Sequence, residues 1–301
     1  MYDIIVVGGG PAGLTAALYA RRAGKTVLVI EKEIFGGQIT FSPKVENIPG
    51  FVELSGNEFA EKMVEQVLNL GADVEMTTVL SVENGEIKTV VTEDGNFEAK
   101  AVIIATGAKH RKLGLAKEED FIGEGISFCA VCDGAFYADK TVAVIGGGNS
   151  ALQEAILLSE TSKKVYVVQN LDFLTGEVTL QEQLKAKSNV EIILGSVLDA
   201  YLGENELTGI RVLNQSNNTT SEIALNGVFL AIGLIPQNEP FANIVNLDAR
   251  GYVEANENCT LENGIFVAGD CRQKEIRQVT TAAADGAVSA LAACRYVDAL
   301  K

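Results

Sequence analysis

Twice in this chain an apolar strand runs into a glycine-rich turn, a helix and a second strand. No other feature constrains the fold as much. The first copy is residues 3–7, then Gly8-Gly9-Gly10-Pro11-Ala12-Gly13, a helical stretch over 12–23 with Leu14, Ala17 and Leu18 on its apolar face, and a strand over 26–30 that ends in Glu31. The second is residues 141–145, then Gly146-Gly147-Gly148-Asn149-Ser150-Ala151, a helix to about residue 160 and a strand over 164–168. Glycines at this spacing permit a tight turn and let the backbone approach a pyrophosphate, while the helix N-terminus turns free N–H groups toward that anion. Glu31 lies 18 residues after Gly13, where an acid bonds ribose hydroxyls. The same count from Ala151 reaches Gln169, which is not an acid. The competing reading of each turn is a glycine-rich bend that only packs helix on strand.

Each copy continues in the same way. In the first, the hairpin signals Asn84-Gly85 and Asp94-Gly95 flank alternating residues and lead into an apolar strand ending Ala105-Thr106-Gly107. In the second, residues 209–213 and the polar stretch 214–220 lead into 227–230 and Ala231-Ile232-Gly233. A third apolar strand, 264–268, precedes Gly269-Asp270 and a small-residue helix over 282–293. Too little chain follows for a third domain, so this strand is expected to complete the first. The fold class is therefore α/β: two doubly wound Rossmann-like nucleotide-binding domains with small β-meanders, the second inserted in the first. The expected boundaries are 1–112 with 240–301, and 113–239.

Bulk properties narrow the function. The chain has 301 residues, which suits two domains, and 24 basic against 40 acidic residues give a net charge of −16. Such a surface is a poor match for nucleic acid or anionic lipid. No apolar run reaches the roughly 18 residues of a membrane span. The short apolar N-terminus lacks a basic flank and runs into glycines, so it reads as a buried strand and not as a signal peptide. Five cysteines, at 129, 132, 259, 271 and 294, are too few and scattered for a secreted disulfide scaffold. These features suggest a cytoplasmic enzyme. His110 is the single histidine and there is no second close cysteine pair, so no metal site is expected. His110 itself reads as a linker residue more than as a catalytic base.

The chemical centre is Ser127-Phe128-Cys129-Ala130-Val131-Cys132-Asp133-Gly134. Two intervening residues bring both sulfurs within bonding distance on one helical turn, where a helix N-terminus favours the reactive thiolate. Thiolate attack then proceeds through a mixed disulfide. Asp133 is a candidate general acid–base group; the alternative is an acid placed in the first turn of a helix by the dipole. Cys259, Cys271 and Cys294 are assigned no chemistry. Asp270, at a strand C-terminus, faces the ligand crevice of this fold class or caps the helix that follows.

Taken in order, Gly8 to Gly13, Gly36-Gly37-Gln38, Val45-Glu46-Asn47-Ile48-Pro49-Gly50, Ala105-Thr106-Gly107-Ala108, Cys129 to Asp133, Gly146 to Ala151, and Gly269-Asp270 followed by Arg277-Gln278-Val279 resemble the low-molecular-weight thioredoxin reductases over essentially the whole chain. That resemblance implies FAD in the interrupted domain. Gly8, Gly10, Gly13 and Glu31 would hold its pyrophosphate and ribose, with Ala105 and Gly107 lining the same site. Gln38 and Asn47 would lie in the flavin region, Asp270 at the ribityl chain, and Arg277, Gln278 and Val279 at the isoalloxazine edge. Gly146, Gly148 and Ala151 would serve NADH or NADPH. Cys129 would attack thioredoxin or a thioredoxin-like protein, Cys132 would face the flavin, and the molecule would be a homodimer whose nucleotide domain rotates about hinges near 110–115 and 236–241.

One stretch departs from the family. NADPH-using members carry His-Arg-Arg and a further Arg after the second nucleotide strand, but here Val168-Gln169-Asn170-Leu171-Asp172-Phe173-Leu174-Thr175 has none. Arginine holds a 2′-phosphate by paired charged bonds, so NADPH selectivity is expected to be weak and NADH to be accepted. Three readings follow: a thioredoxin reductase using NADH or either nucleotide; a relative that takes electrons from ferredoxin or gives them to oxygen; and a flavin redox sensor without catalysis. The retained second glycine motif favours the first, and the cysteine pair argues against the third.

Overall fold

The computed structural model describes residues 1–42 and 45–300. It divides into two compact units, Met1–Lys109 with Ile235–Lys301, and His110–Leu234. The chain thus leaves the first unit once and returns to it once.

The discontinuous unit is built on β1 (Tyr2–Val7), α1 (Pro11–Arg22), β2 (Val27–Glu31), α2 (Gly56–Asn69), β3 (Asp73–Met76), β4 (Val79–Asn84), β5 (Lys88–Thr92) and β6 (Gly95–Ile104). β1 is buried on both faces, as a strand covered by helices on one side and by further chain on the other must be. Ile4 and Val6 face the cluster under α1, and Ile5 and Val7 face the opposite one. The sheet order is β3-β2-β1-β6-β5-β4. β3, β2, β1 and β6 run parallel, while β4 and β5 form an antiparallel meander on the first half of β6. α2 starts at a reciprocal capping box, in which Ser55 Oγ accepts from Glu58 N and Glu58 accepts from Ser55 N.

A short strand, β7 (Ala108–His110), spans the point of departure. The inserted unit then runs α3 (Glu118–Phe121), β8 (Ile126–Ser127), α4 (Ala130–Asp133), β9 (Thr141–Ile145), α5 (Asn149–Ser159), β10 (Lys164–Val168), α6 (Val178–Lys185), β11 (Val190–Ile193), β12 (Ser196–Leu202), β13 (Gly209–Asn214), β14 (Thr220–Ala224) and β15 (Gly227–Leu230). Its main sheet, β11-β10-β9-β15-β8, is wholly parallel; β12-β13-β14 is a separate antiparallel meander.

After β16 (Leu234–Pro236) the chain supplies β17 (Ile265–Val267) and α7 (Val279–Ala299). β17 pairs in parallel with the second half of β6, so the late apolar strand does complete the first sheet. α7 is longer at both ends than residues 282–293. Gln278 and Thr281 cap its start reciprocally, and Val297 extends its buried face past the small residues. Among the described residues no helix is long and apolar enough to cross a membrane.

Candidate functional sites in the two units

In the discontinuous unit, Gly8 follows β1 with a positive φ of 111°, which L side chains rarely adopt. A Cβ there would stand 2.2 Å from the Ala105 carbonyl oxygen, and one at Gly13 would stand 1.8 Å from the Gly8 oxygen. These two glycines are therefore required by the packing of β1, β6 and α1. Gly10 differs: it is the N-cap of α1 and its nearest neighbour would be 3.9 Å away. Nothing in the protein needs glycine there, which is what a close ligand approach to a helix N-terminus requires. Glu31 Oε2 accepts from Gly9 N at 2.7 Å, while Oε1 accepts from Lys32 N and Glu33 N. A carboxylate has about four acceptor sites, so one remains for a hydroxyl.

A late segment of the chain meets the same glycine turn. A Cβ at Gly269 would stand 2.7 Å from Ala12 Cβ, so the turn bearing Asp270 abuts the first turn of α1. Asp270 does not cap the following helix, whose N-cap is Gln278. Its Oδ1 is instead buried with no hydrogen-bond partner. Burial pushes its carboxyl above the usual carboxylate range, against the pull of Lys274 and Arg277. An orphaned acceptor beside a glycine cradle fits a ligand hydroxyl. Arg277 stacks on the Tyr252 ring at 4.3 Å and donates to the Asp270 carbonyl at 3.4 Å. Gln278 accepts from Asn47 Nδ2 at 3.4 Å, and Val279 packs on the small Val45–Ile48–Leu54 cluster. Ala105 N donates to Val7 O, and Gly107 has a positive φ with open space at its Cβ. Gln38 is exposed in the 3-10 turn Gly37–Phe41.

Two supports had no motif of their own. Asp285 of α7 accepts from Arg272 through Nε and Nη2 at 2.8 and 2.9 Å, from Lys274 at 3.0 Å and from Gly269 N at 3.0 Å. Asn238 donates to the Gly251 and Cys271 carbonyls at 2.8 Å and takes part in a hydrogen bond with Thr106 Oγ1 at 3.1 Å. Together they fix the turns that carry Asp270 and Ala105 to Gly107. A lone acid on the small, buried face of α7 is the sequence signal for Asp285. Asn238 has no comparable signal.

In the inserted unit, Gly146 repeats the role of Gly8: its φ is 133° and a Cβ would stand 2.5 Å from the Ala231 oxygen. Gly148 is open, as Gly10 is, with Thr175 Oγ1 at 3.8 Å its nearest neighbour. Ala151 is fully buried on α5. Gln169, where the first unit has Glu31, lies over Gly147: a Cβ on that glycine would be 2.5 Å from Gln169 Cδ. Its amide donates to the Phe173 carbonyl at 3.3 Å.

Cys129 and Cys132 are joined in a disulfide with Cα atoms 5.3 Å apart. Cys129 is the N-cap of α4, and its sulfur accepts from Cys132 N at 3.2 Å. Both cysteines are half-buried, and Val131 between them is 63% exposed. Asp133 closes the turn. Its Oδ2 accepts from Ser127 Oγ at 2.6 Å, and its Oδ1 is buried without a partner. Burial raises its carboxyl above the ordinary range, and the Ser127 bond opposes that rise. His110 stacks on Phe128 at 4.5 Å, and burial lowers it to about 4, so it is neutral at physiological pH. Cys259, Cys271 and Cys294 are free and buried. Among the described residues no cluster of His, Cys, Asp and Glu could hold a metal.

Comparison with known proteins identifies the family. The pattern of the family described as pyridine nucleotide-disulphide oxidoreductase matches residues 2–286. The chain is 42% identical over 98% of its length to 97% of a "34.2 kDa protein in rubredoxin operon" from Clostridium pasteurianum. It is 39% identical over 100% of its length to 95% of the thioredoxin reductase of Listeria monocytogenes. The crystal structure of thioredoxin reductase from Streptococcus pyogenes superposes with a TM-score of 0.94 at 39% identity, covering 99% of both chains. The chain belongs to the pyridine nucleotide-disulphide oxidoreductases and, within them, to the low-molecular-weight thioredoxin reductases.

Proposed function

We propose that the chain reduces the disulfide of thioredoxin or a thioredoxin-like protein through Cys129 and Cys132, with electrons from a reduced nicotinamide and with NADH accepted at least as well as NADPH. The observation that carries this reading is the half-buried disulfide on one helical turn, with an exposed residue between its cysteines and an acid with a free oxygen beside it.

In the reduced pair, the Cys132 N–H aimed at Cys129 Sγ favours a thiolate on Cys129. That thiolate attacks one sulfur of the partner disulfide, forming a mixed disulfide and expelling the partner's other sulfur, which takes a proton from Asp133. Cys132 then gives up its proton and attacks Cys129 Sγ, the intermolecular bond breaks, the partner's second sulfur takes up that proton, and the partner leaves as a dithiol. Two electrons have passed, and the Cys129–Cys132 bond has re-formed.

We assign FAD to the discontinuous unit and the nicotinamide nucleotide to the inserted one. Gly10 and the α1 N-terminus would receive the FAD pyrophosphate, Glu31 a ribose hydroxyl and the free oxygen of Asp270 the ribityl chain. Arg277, Gln278 and Val279 would border the ring, with Asn47 and Gln38 nearby. FAD bound there supplies the two-electron exchange between nicotinamide and disulfide. At the second site the Gln169 amide is already engaged by Phe173, and residues 169–178 contain two acids and no base. This disfavours a 2′-phosphate. It also favours a second reading, in which a ferredoxin replaces the nicotinamide.

Anaerobic mixing with NADH and then with NADPH separates these. Bleaching of the flavin band by NADH, at a concentration no higher than NADPH requires, is the expected outcome. Bleaching by NADPH alone refutes the selectivity, and bleaching by neither transfers the assignment to the ferredoxin reading. Cys132→Ser should retain flavin and lose thioredoxin reduction; retained turnover would remove the cysteine pair from the mechanism.

A further inference from the structure

Asp133 does not stand alone. Ser127, at the end of β8, is 5% exposed and has two partners: its Oγ accepts from Cys129 N at 3.1 Å and donates to Asp133 Oδ2 at 2.6 Å. A hydroxyl has one proton to donate. The Cys129 amide only donates and an ionised carboxylate only accepts, so with Asp133 ionised the Ser127 proton is directed to the carboxylate. Asp133 Oδ2 is therefore held as an acceptor. Its Oδ1 has no partner and is the oxygen free to carry a proton.

We propose that Ser127 is the positioning residue of the dithiol step: it ties the backbone of Cys129 to the carboxyl of Asp133 and places the transferable proton on Oδ1. This rests on the reading of Asp133 as the acid that protonates the departing thiolate. Ser127 does not touch the reacting sulfurs. It acts through Asp133, and it stabilises the carboxylate form by a charge-assisted bond.

The surroundings leave Ser127 as the tuning contact. Tyr137, on the turn after α4, is pushed up to about 12 by its own burial first and then by the Asp133 and Glu124 charges. Glu124 precedes β8. α5 packs on α4 where Leu158 meets Gly134, and the same helix bears Glu154. Cys129 and Cys132 complete the ring of titratable groups. Among these neighbours it is Ser127 that donates a hydrogen bond to the Asp133 carboxylate.

The test uses flavin-loaded protein reduced anaerobically with dithionite, so that no nicotinamide is needed. It is then mixed with oxidised thioredoxin while flavin reoxidation is followed from pH 5 to 10. The alkaline fall in rate is assigned to Asp133 by its absence in Asp133→Asn. In Ser127→Ala that fall should move up by ~1–2 pH units, the size of one lost charge-assisted bond. Ser127→Thr, which keeps the hydroxyl, should restore the wild-type position. An unmoved limb in Ser127→Ala, with Asp133→Asn impaired, overturns the proposal and leaves the acid role standing. A wild-type rate and limb in Asp133→Asn overturns the acid role itself. A further readout needs no folded Ser127 variant. The infrared carbonyl band of protonated Asp133, identified by its loss in Asp133→Asn, should lie at the frequency of a hydrogen-bonded carbonyl, and a free-carbonyl band overturns the proposal.

Discussion

Replacing Asp285 by Asn tests how the turn that carries Asp270, part of the proposed flavin site, is held. The substitution keeps the shape of the side chain and removes its charge. Arg272 and Lys274, whose side chains are 4% and 8% exposed, then lose their shared carboxylate; Arg272 keeps only a 3.8 Å contact with exposed Glu257, and Lys274 is left stranded. Stranding a buried cation by deleting its partner costs about 3–5 kcal/mol. At ~2–4 °C per kcal/mol for a domain of this size, melting should fall by ~6–20 °C. The turn carrying Asp270 should loosen with it, because Gly269 N also loses its acceptor. Circular-dichroism melts, with flavin release followed by fluorescence, read both effects. Glu119→Gln breaks an exposed pair with Lys112 and serves as the control, with a cost of at most ~1 kcal/mol. The pH dependence has a definite sign. Burial works against the Asp285 charge, but the bonds from Arg272 and Lys274 outweigh it and hold the carboxyl below its ordinary value. Its contribution is therefore complete above the unfolded pKa of about 3.9 and is lost as pH falls below that. The gap between wild type and Asp285→Asn should be flat from neutrality to about pH 5 and close below about pH 4. A melting point within about 2 °C of wild type at pH 7, less than the smallest loss expected from a stranded cation, would refute the reasoning.

Two further perturbations separate fold from ligand. Gly13→Ala forces a Cβ to within 1.8 Å of the Gly8 oxygen and should destabilise the flavin-free protein by at least ~1–3 kcal/mol, as overpacking does. Gly10→Ala, with open space at its Cβ, should melt as wild type without flavin yet bind FAD at least tenfold more weakly by fluorescence titration; equal FAD affinity would sink the assignment of Gly10. Glu154 of α5 is raised by burial to about 8, and its Oε2 has no partner. An acid whose pKa rises on folding destabilises the fold once it must ionise: the penalty is absent below its unfolded pKa and grows as pH rises toward the folded one. At ~1.4 kcal/mol for each pH unit between the two values, the inserted unit should lose a few kcal/mol between about pH 4.5 and 8, and Glu154→Gln should abolish the loss. Melts of equal pH slope in both proteins would show that Glu154 is solvated.

Much of the architecture is legible in the sequence because the parallel strands are buried on both faces and so spell continuous apolar runs. The meander strands are harder. β14 exposes Thr220-Ser221-Glu222, and its first residue falls in the polar stretch 214–220. α7 shows only its small-residue middle, because its start depends on a side-chain exchange between Gln278 and Thr281 that no apolar period announces. At the redox turn the cysteines are plain from spacing, but Ser127 is not. Its function lies in bonds to residues two and six positions on, a pattern fixed by the extended entry from β8 into α4 and not by any periodicity. The ion cluster at Asp285 is hidden for a related reason: its donors come from a turn eleven to sixteen residues earlier.

The two copies also explain why one glycine motif carries two kinds of information. Each A-x-G strand end is the partner of a first glycine. Ala105 N donates to Val7 O and Ala231 N to Ile145 O, and the alanine carbonyls then occupy the space a Cβ on Gly8 or Gly146 would need. Glycine and alanine recur together because adjacent parallel strands end side by side, whatever is bound above them. Gly10 and Gly148 are under no such constraint, since neither would strike the protein, which leaves room for the nucleotides proposed above. The residue at the second strand end is free of both demands and can differ: Glu31 clamps its glycine turn with a charge, and Gln169 covers its own with a neutral amide. On the proposed function, a nucleotide would fit both turns for the same backbone reason, and the choice of nucleotide would be made where the copies diverge. Changing Gln169 should thus alter donor preference without disturbing the disulfide, because its contacts reach Gly147 and Phe173 and leave α4 alone.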